Sequence, residues 1–285
     1  MVIIMKIDDV ALHELRKKIF LTGYSASNAH FPSAFSILEI LYTLYCKKVL
    51  EYDCDNPDRI DRDRLVLSKG HGSLALYAIL NLTGFITDEM LFTFAKPNSF
   101  LGGEPTIEIP GVEVSTGSLG HGLSLGVGMA LSLKSDNSTS KVFVILGDGE
   151  CQEGSVWEAV MSASRFELDN LTVILDCNRF QKMGTIKDII GFDVYNWIKC
   201  FESFNWDVIA VDGHSVNELL SAFSHSKLTK KPQLIIAKTI KGKGVSIMEN
   251  APNWHWKLPN KKELKIIMNE LDITDEEVAE CKKLI

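Results

Sequence analysis

The sequence predicts an α/β protein: a doubly wound, mainly parallel sheet with helices on both faces. Two observations carry that prediction. The first is a pair of largely apolar runs, Val142-Phe143-Val144-Ile145-Leu146 and Leu171-Thr172-Val173-Ile174-Leu175, which suit strands buried on both sides. The second is the alternation around them: strand 142–146, helix 155–166, strands 171–176 and 206–211, helix 215–226 and strand 233–237. Crossover connections turn that alternation into a parallel sheet. Each apolar run also ends on polar residues, Gly147-Asp148-Gly149-Glu150 after the first and Asp176-Cys177-Asn178-Arg179-Phe180 after the second. Ligands of open α/β sheets sit at the carboxyl ends of strands, so these two blocks are the first candidates for a site.

Before the strands the periodicity is helical. Val10, Leu12, Leu15 and Ile19 form an apolar stripe behind Asp8 or Asp9, either of which can cap a helix. A second helix is expected after Pro32, with Phe35, Leu38, Leu41, Tyr42 and Tyr45 on one face and the proline in its first turn. Leu65-Val66-Leu67 reads as a short buried strand, and Ser68-Lys69-Gly70-His71-Gly72 turns from it into a helix at 73–82. Residues 96–117 are polar, contain glycine and proline, and show no periodicity; a stretch of that length is expected to be functional or mobile. Residues 118–133 read as a small-residue helix and 134–141 as a surface loop. The end of the chain, 260–285, reads as two short amphipathic helices, with Thr274 capping the second and Glu277 completing a capping box. No repeat or linker interrupts the chain. Residues 1–285 are therefore expected to form one domain, a core of about 10–257 and a helical tail at 258–285.

With 285 residues, 46% hydrophobic and 24% charged, the chain can bury a large core. Its formal net charge of −7 argues against nucleic acid or an anionic membrane as a partner. Basic residues are interspersed with acidic ones, as in Lys261-Lys262-Glu263. The six cysteines form no C-x-x-C pair and show no metal-ligand spacing, so reduced thiols and a cytoplasmic location are expected. Cys177, at the end of a strand, reads as a small apolar filler. Val2-Ile3-Ile4-Met5 is too short for a signal-peptide core, and no run reaches transmembrane length.

Asp148 and Asn178, brought together at neighbouring strand ends with nearby carbonyls, make a hard oxygen site suited to Mg²⁺. That ion keeps part of its coordination sphere for phosphate oxygens. Gly147 and Gly149 let the backbone approach a diphosphate closely. Gly-Asp-Gly alone is also ordinary turn chemistry, and the second strand with its asparagine weighs against that reading.

The run from Gly147-Asp148-Gly149 to Asn178 resembles the thiamine diphosphate signature. Three further segments resemble transketolases. Arg62-Asp63-Arg64-Leu65-Val66-Leu67-Ser68-Lys69-Gly70-His71-Gly72-Ser73 is similar to the segment around one of their active-site histidines. Pro110-Gly111-Val112-Glu113-Val114-Ser115-Thr116-Gly117-Ser118-Leu119-Gly120-His121-Gly122 resembles their cofactor-side glycine segment. Lys238-Thr239-Ile240-Lys241-Gly242-Lys243-Gly244-Val245 through Trp254-His255 is similar to their late loop. Together these segments cover about 10–257, and on them the chain is identified as a member of the transketolase family. It resembles the N-terminal, thiamine diphosphate-binding subunit of a split transketolase.

The resemblance implies a thiamine diphosphate-binding fold with thiamine diphosphate and Mg²⁺ as cofactors. It implies transfer of a two-carbon ketol unit from a ketose phosphate to an aldose acceptor. Full-length members carry two further domains, and the pyrimidine-binding one keeps the glutamate that activates the cofactor. Residues 258–285 are too few to supply such a domain, so a partner chain is expected to bring it. Cofactor sites in the family form across a dimer, so an α₂β₂ heterotetramer is expected. The alternatives are a subunit of another thiamine diphosphate-dependent lyase or synthase, and a non-catalytic cofactor-binding subunit.

Residue by residue, the resemblance implies that Asp148, Asn178 and the backbone carbonyl of Phe180 ligate Mg²⁺. Gly147, Gly149 and Glu150 line the diphosphate with their backbone, and Gly117, Ser118, Leu119 and His121 form the cofactor-side segment, with His121 facing the pocket. His30, His71 and His255 handle hydroxyl protons near neutral pH, and His71 and His255 also touch the cofactor. The family's His-Pro-Gly reads His30-Phe31-Pro32-Ser33 here, and His255 is followed by Trp256 where glycine is usual. Glu153 matches a glutamate in the proton relay at the subunit interface, and it suits a helix N-terminus equally well. His214, in Asp212-Gly213-His214-Ser215, reads as part of a capped turn before a helix. Glu104, in Gly103-Glu104-Pro105, stands where transketolases usually carry a histidine that contacts the donor's hydroxyls. An ionised carboxylate accepts hydrogen bonds but cannot donate them, and it disfavours an anionic 2-oxo acid donor. A surface glutamate without contacts is the alternative.

Overall fold

The computed structural model describes residues 2–28, 30–225 and 230–283. Two helices lead into the sheet, α1 (Val2–Ser25) and α2 (Phe31–Cys46). Pro32 lies in the first turn of α2, where its missing N–H costs no hydrogen bond. Every residue of α2 from Phe31 to Tyr45 is buried, so α2 is covered all round rather than on one face. Helix α1 begins well before Asp8, which overturns Asp8 or Asp9 as its cap. The Asp8 carboxylate is buried in mid-helix, paired with Lys47 (2.5 Å) and accepting from Tyr42 Oη (2.8 Å). Leu12, Leu15 and Ile19 are buried as expected, while Val10 is turned to solvent.

The strands are β1 (Arg64–Leu67), β2 (Val142–Gly147), β3 (Leu171–Cys177), a small antiparallel pair β4 (Phe180–Gln181) and β5 (Gly184–Thr185), then β6 (Asp207–Asp212) and β7 (Gln233–Lys238). Five of them make one all-parallel sheet in the order β1-β2-β3-β7-β6. The remaining helices are α3 (Ser73–Leu82), α4 (Asp88–Leu91), α5 (His121–Ser135), α6 (Gly154–Arg165), α7 (Ile186–Ile190), α8 (Val194–Ser203), α9 (Val216–His225), α10 (Lys261–Glu270) and α11 (Asp275–Lys283).

Alternate residues of each strand enter different layers. Leu65, Leu67, Phe143, Ile145 and Ile235 join the apolar cluster of α1, α2, α3 and α9. Val66, Val144, Leu146, Val173 and Ile236 join that of α5, α6 and α8. Both faces are covered, which is why the strands read as continuous apolar runs. Ile267, Leu271, Ile273 and Val278 of the tail belong to the first cluster. The capping box of α11 forms as expected: Thr274 N donates to Glu277 Oε2 (2.9 Å), and Glu277 N donates to Thr274 Oγ1 (3.2 Å).

Helices α7 and α8 were not expected from the sequence pattern. The local signal for α8 was Asp193 with Asn196, which form a reciprocal capping box. Residues 96–117 form no helix or strand, yet they are tied to the core. Ser73 Oγ donates to the Gly103 carbonyl (2.6 Å) and Thr116 Oγ1 to the Leu67 carbonyl (2.8 Å). Cys46, Cys54, Cys151, Cys177 and Cys200 are free thiols, and Cys177 is buried at the end of β3. Among the described residues no helix is long and apolar enough to cross a membrane.

Candidate active site

The carboxyl ends of β1, β2, β3 and β7 open into one cavity of about 650 Å³. It collects His30, His71, Glu104, Gly117, Leu119, Gly147, Asp148, Gly149, Glu150, Glu153, Asn178, Phe180 and His255. Ser118 and His121 lie outside its lining. The His121 ring is exposed, with Nδ1 3.2 Å from the carbonyls of Ser118 and Leu119.

The inner wall is built on strand ends. Gly147 of β2 pairs with Asp176 of β3, so Asp148 and Asn178 leave the sheet side by side. Asp148 accepts from Gly149 N (2.8 Å) and Arg179 N (2.6 Å). Asn178 Nδ2 donates to Asp176 Oδ2 (2.8 Å), while its Oδ1 accepts from Phe180 N (3.0 Å). Behind them Asp176 is fully buried, ion-paired with buried Lys69 and accepting from Thr239 Oγ1 and Ser36 Oγ. Burial alone would raise the Asp176 carboxyl, but the Lys69 charge and these hydrogen bonds hold it below its ordinary value.

Asp148 is just as buried, but among the described residues it has no ion-pair partner. Burial, and then the Asp176 charge, push its carboxyl up to about 7. A buried carboxylate short of countercharge, lining the same cavity as Asn178 and Phe180, belongs to a donor set that fits a hard divalent cation. Among the described residues no group of three or more His, Cys, Asp or Glu could hold a metal. The remaining ligands would have to come from phosphate and water.

Glu150 is turned inward, whereas the sequence pointed only to its backbone. Its buried carboxylate accepts from Gly120 N (2.9 Å), Gly147 N (3.1 Å) and Ser68 Oγ, which ties three glycine segments together. Burial raises its carboxyl.

The outer wall is made of imidazoles. Ring centroids lie 5.9 Å apart for His30 and His71, 5.4 Å for His30 and His255, and 6.0 Å for His71 and His255. Burial lowers all three. Lys241 adds to this for His30 and for His255, which falls to about 4, and Lys69 adds to it for His71, which lies well below its ordinary value. Each ring is thus neutral near pH 7, with one nitrogen to donate and one to accept. Gly117 has φ +133, and a Cβ there would come within 2.8 Å of Glu104 Cγ, so glycine leaves room for the Glu104 side chain at the cavity edge. Glu153 stands at the N-terminus of α6, where its side chain makes no capping bond. His214 serves the scaffold: Nδ1 lies 3.0 Å from Glu39 Oε2, and Nε2 accepts from Ile240 N (2.8 Å).

Two lysines of the site were given no role by the sequence motifs. Lys69 anchors Asp176, and Lys241, lowered to about 8 by burial and then by Lys69, lies 3.4 Å from the Phe180 carbonyl and 3.2 Å from His255 Nδ1. Their signal was position, since each stands just past the end of a buried strand, β1 or β7.

A cavity with oxygen donors for a cation at its floor and neutral histidines at its mouth suits a diphosphate-bearing cofactor with a reactive end toward the histidines. Thiamine diphosphate-dependent enzymes are that class. Residues 20–280 match the family described as "Transketolase, thiamine diphosphate binding domain". The chain belongs to the transketolase family, and it is one subunit of a thiamine diphosphate-dependent, transketolase-type transferase. It is 40% identical over 257 residues to an apulose-4-phosphate transketolase subunit of Phocaeicola vulgatus, covering 90% of each chain. It is also 40% identical over 222 residues to a 6-deoxy-6-sulfo-D-fructose transketolase subunit of a Clostridium species, covering 77% of this chain and 80% of that one. The crystal structure of Campylobacter jejuni transketolase superimposes with a TM-score of 0.83 at 30% identity, over 96% of this chain and 46% of that one.

Proposed function

We propose that this chain is the N-terminal subunit of a two-component transketolase, completed by a second polypeptide that carries a pyrimidine-binding domain. The similarity to a protein that is itself named as one subunit of a transketolase, over 90% of both chains, is the observation that supports this reading. The complex moves a two-carbon ketol unit from a ketose phosphate to an aldose acceptor. An α₂β₂ assembly in the cytoplasm, with Glu153 at the subunit contact and residues 1–285 as one domain, completes the reading.

Mg²⁺ would be held by Asp148, Asn178 and the Phe180 carbonyl. The Asp176 carboxylate fixes the Asn178 amide by taking its N–H, and the Asn178 oxygen, which accepts from Phe180 N, keeps its second lone pair for a cation. The backbone N–H of Glu150, with Lys241 and the cofactor-touching rings of His71 and His255, would take the diphosphate, whereas the Gly149 N–H is already given to Asp148. When bound, thiamine diphosphate supplies an electron sink for carbon–carbon cleavage. The protein's own task is to orient the sugar and move its hydroxyl protons. Neutral His30, His71 and His255 can each accept at one ring nitrogen while donating from the other. Glu104 adds an acceptor at the donor's hydroxyls, so the donor remains a ketose phosphate and the order of preference among such donors differs from that of transketolases with histidine there.

The test is ketol transfer from xylulose 5-phosphate to ribose 5-phosphate with thiamine diphosphate and Mg²⁺. It is run with this chain alone and with the polypeptide encoded beside it. Transfer only in the mixture is expected. Transfer by the chain alone would remove the need for a partner.

A further inference from the structure

Trp256 stacks on His30, a lining residue of the cavity, and has no role in the chemistry above. It is 68% exposed, whereas the other four tryptophans of the chain are buried or half-buried. An indole so open to water is nonetheless held in place. Its Nε1 donates to Asn28 Oδ1 (3.2 Å), and its ring stacks on His30 with centroids 5.9 Å apart and planes 20° from parallel. His30 in turn meets His71 and His255 edge on. The rings therefore form a chain from half-buried His71 through half-buried His30 to exposed Trp256. One indole face covers His30, and the rest of the ring is open beside the entrance to the three histidines.

A large aromatic surface fixed before any ligand arrives offers contact area at little entropic cost. The face it presents suits the C–H side of a sugar, whose hydroxyls then point to the imidazoles. We propose that Trp256 is a sugar-binding platform that stacks on the carbon chain of the sugar phosphate, beyond the carbon that reacts at the histidines. Its indole N–H is committed to Asn28, so it binds and orients and carries no proton. The proposal rests on the transketolase reading above and extends it to a specificity-determining residue.

The experiment uses the complex with its partner chain, loaded with thiamine diphosphate and Mg²⁺, with xylulose 5-phosphate and ribose 5-phosphate as probes. Trp256→Ala should raise KM for at least one of the two sugars about tenfold, while kcat changes less than about threefold. Trp256→Phe should recover most of the loss, and affinity for the partner and the cofactor should stay as in the wild type. A second readout needs no turnover. Because Trp256 is the exposed tryptophan, sugar should shield part of the fluorescence from iodide quenching, and Trp256→Phe should abolish that shielding. Unchanged KM values for both sugars would overturn the proposal, as would a defect confined to partner affinity. A wild-type complex without any transfer would count against the transketolase reading instead, and the shielding by each sugar phosphate would then decide on Trp256 alone.

Discussion

The inner wall of the cavity stands on strand ends, and its polar groups are hydrogen-bonded before any ligand arrives. The outer wall stands on a helix start and on loops, and much of its hydrogen-bonding capacity is unspent. Asp176 is satisfied by Lys69, Thr239, Ser36 and Asn178. Among the described residues, by contrast, the ring nitrogens of His30 and His71 have no protein hydrogen-bond partner. The difference separates two tasks. A charged diphosphate and its cation need fixed geometry, which a buried network supplies. A sugar brings its own hydroxyls, and these need partners that are not already occupied.

Mutations should separate the walls. The largest loss is expected from Asp148→Ala, which removes the one carboxylate of the cation site. Ketol transfer should fall about a thousandfold or more, and calorimetry should show thiamine diphosphate and Mg²⁺ no longer binding together. Next comes Lys69→Met, which leaves Asp176 buried and unpaired. A loss of about 3–5 kcal/mol is expected from such a break, read as a fall in the denaturant midpoint. Lys69→Met with Asp176→Leu should recover much of it. On the outer wall, His30→Ala should cost transfer about a hundredfold and stability no more than about 1 kcal/mol. If His30→Ala unfolds as readily as Lys69→Met, the two walls are not built by different rules.

The pH dependence of stability sharpens the same contrast. His255 is lowered from its ordinary 6.5 to about 4 by burial and then Lys241. Between those values the unfolded chain binds more protons than the folded one, so stability rises with pH and is lost as pH falls. Denaturation at pH 7 and pH 5 should show the folded chain weaker at pH 5, and His255→Gln should flatten that limb. Asp176, held below its ordinary 3.8, contributes in full above that value and loses its contribution only as the pH falls below it. An acid limb that His255→Gln does not change would mean that His255 is not held neutral by its surroundings.

Much of this division was legible in the sequence, and the rest was hidden for physical reasons. Strands buried on both faces announce themselves as apolar runs, and the polar blocks after β2 and β3 announced Asp148 and Asn178 side by side at the strand ends. The histidines and Glu104 came from motifs. Lys69 and Glu150 were inside those motifs, but a side chain that folds inward to pair with Asp176 or to gather Gly120, Gly147 and Ser68 depends on contacts distant in the chain. No local pattern records them. Asp8 misled for the same reason: as a good capping residue it suggested a helix start, yet its partner Lys47 lies on the far side of α2 in sequence and lets it sit in mid-helix. His121 followed its motif, but its ring turned back on the Ser118 and Leu119 carbonyls rather than into the cavity.

The smallest expected effect concerns Glu104, the outer-wall residue that is already charged. It lines the cavity but remains exposed, with Cγ against Gly117 and Gly70. Water screens such a carboxylate, so its repulsion of a nearby anionic group is worth about 1 kcal/mol, roughly fivefold in a rate ratio. Glu104→His would replace an acceptor-only group by one that can also donate. The ratio of kcat/KM for hydroxypyruvate to that for xylulose 5-phosphate should therefore rise about fivefold, with the denaturant midpoint unchanged because no buried partner is lost. The paired measurement matters because a general loss of activity would lower both numbers and leave the ratio alone. An unchanged ratio would make Glu104 a surface carboxylate at the cavity edge and leave donor choice to the histidines and the partner chain. A risen ratio would show that even the unpaired wall selects its substrate by charge as well as by hydrogen bonding.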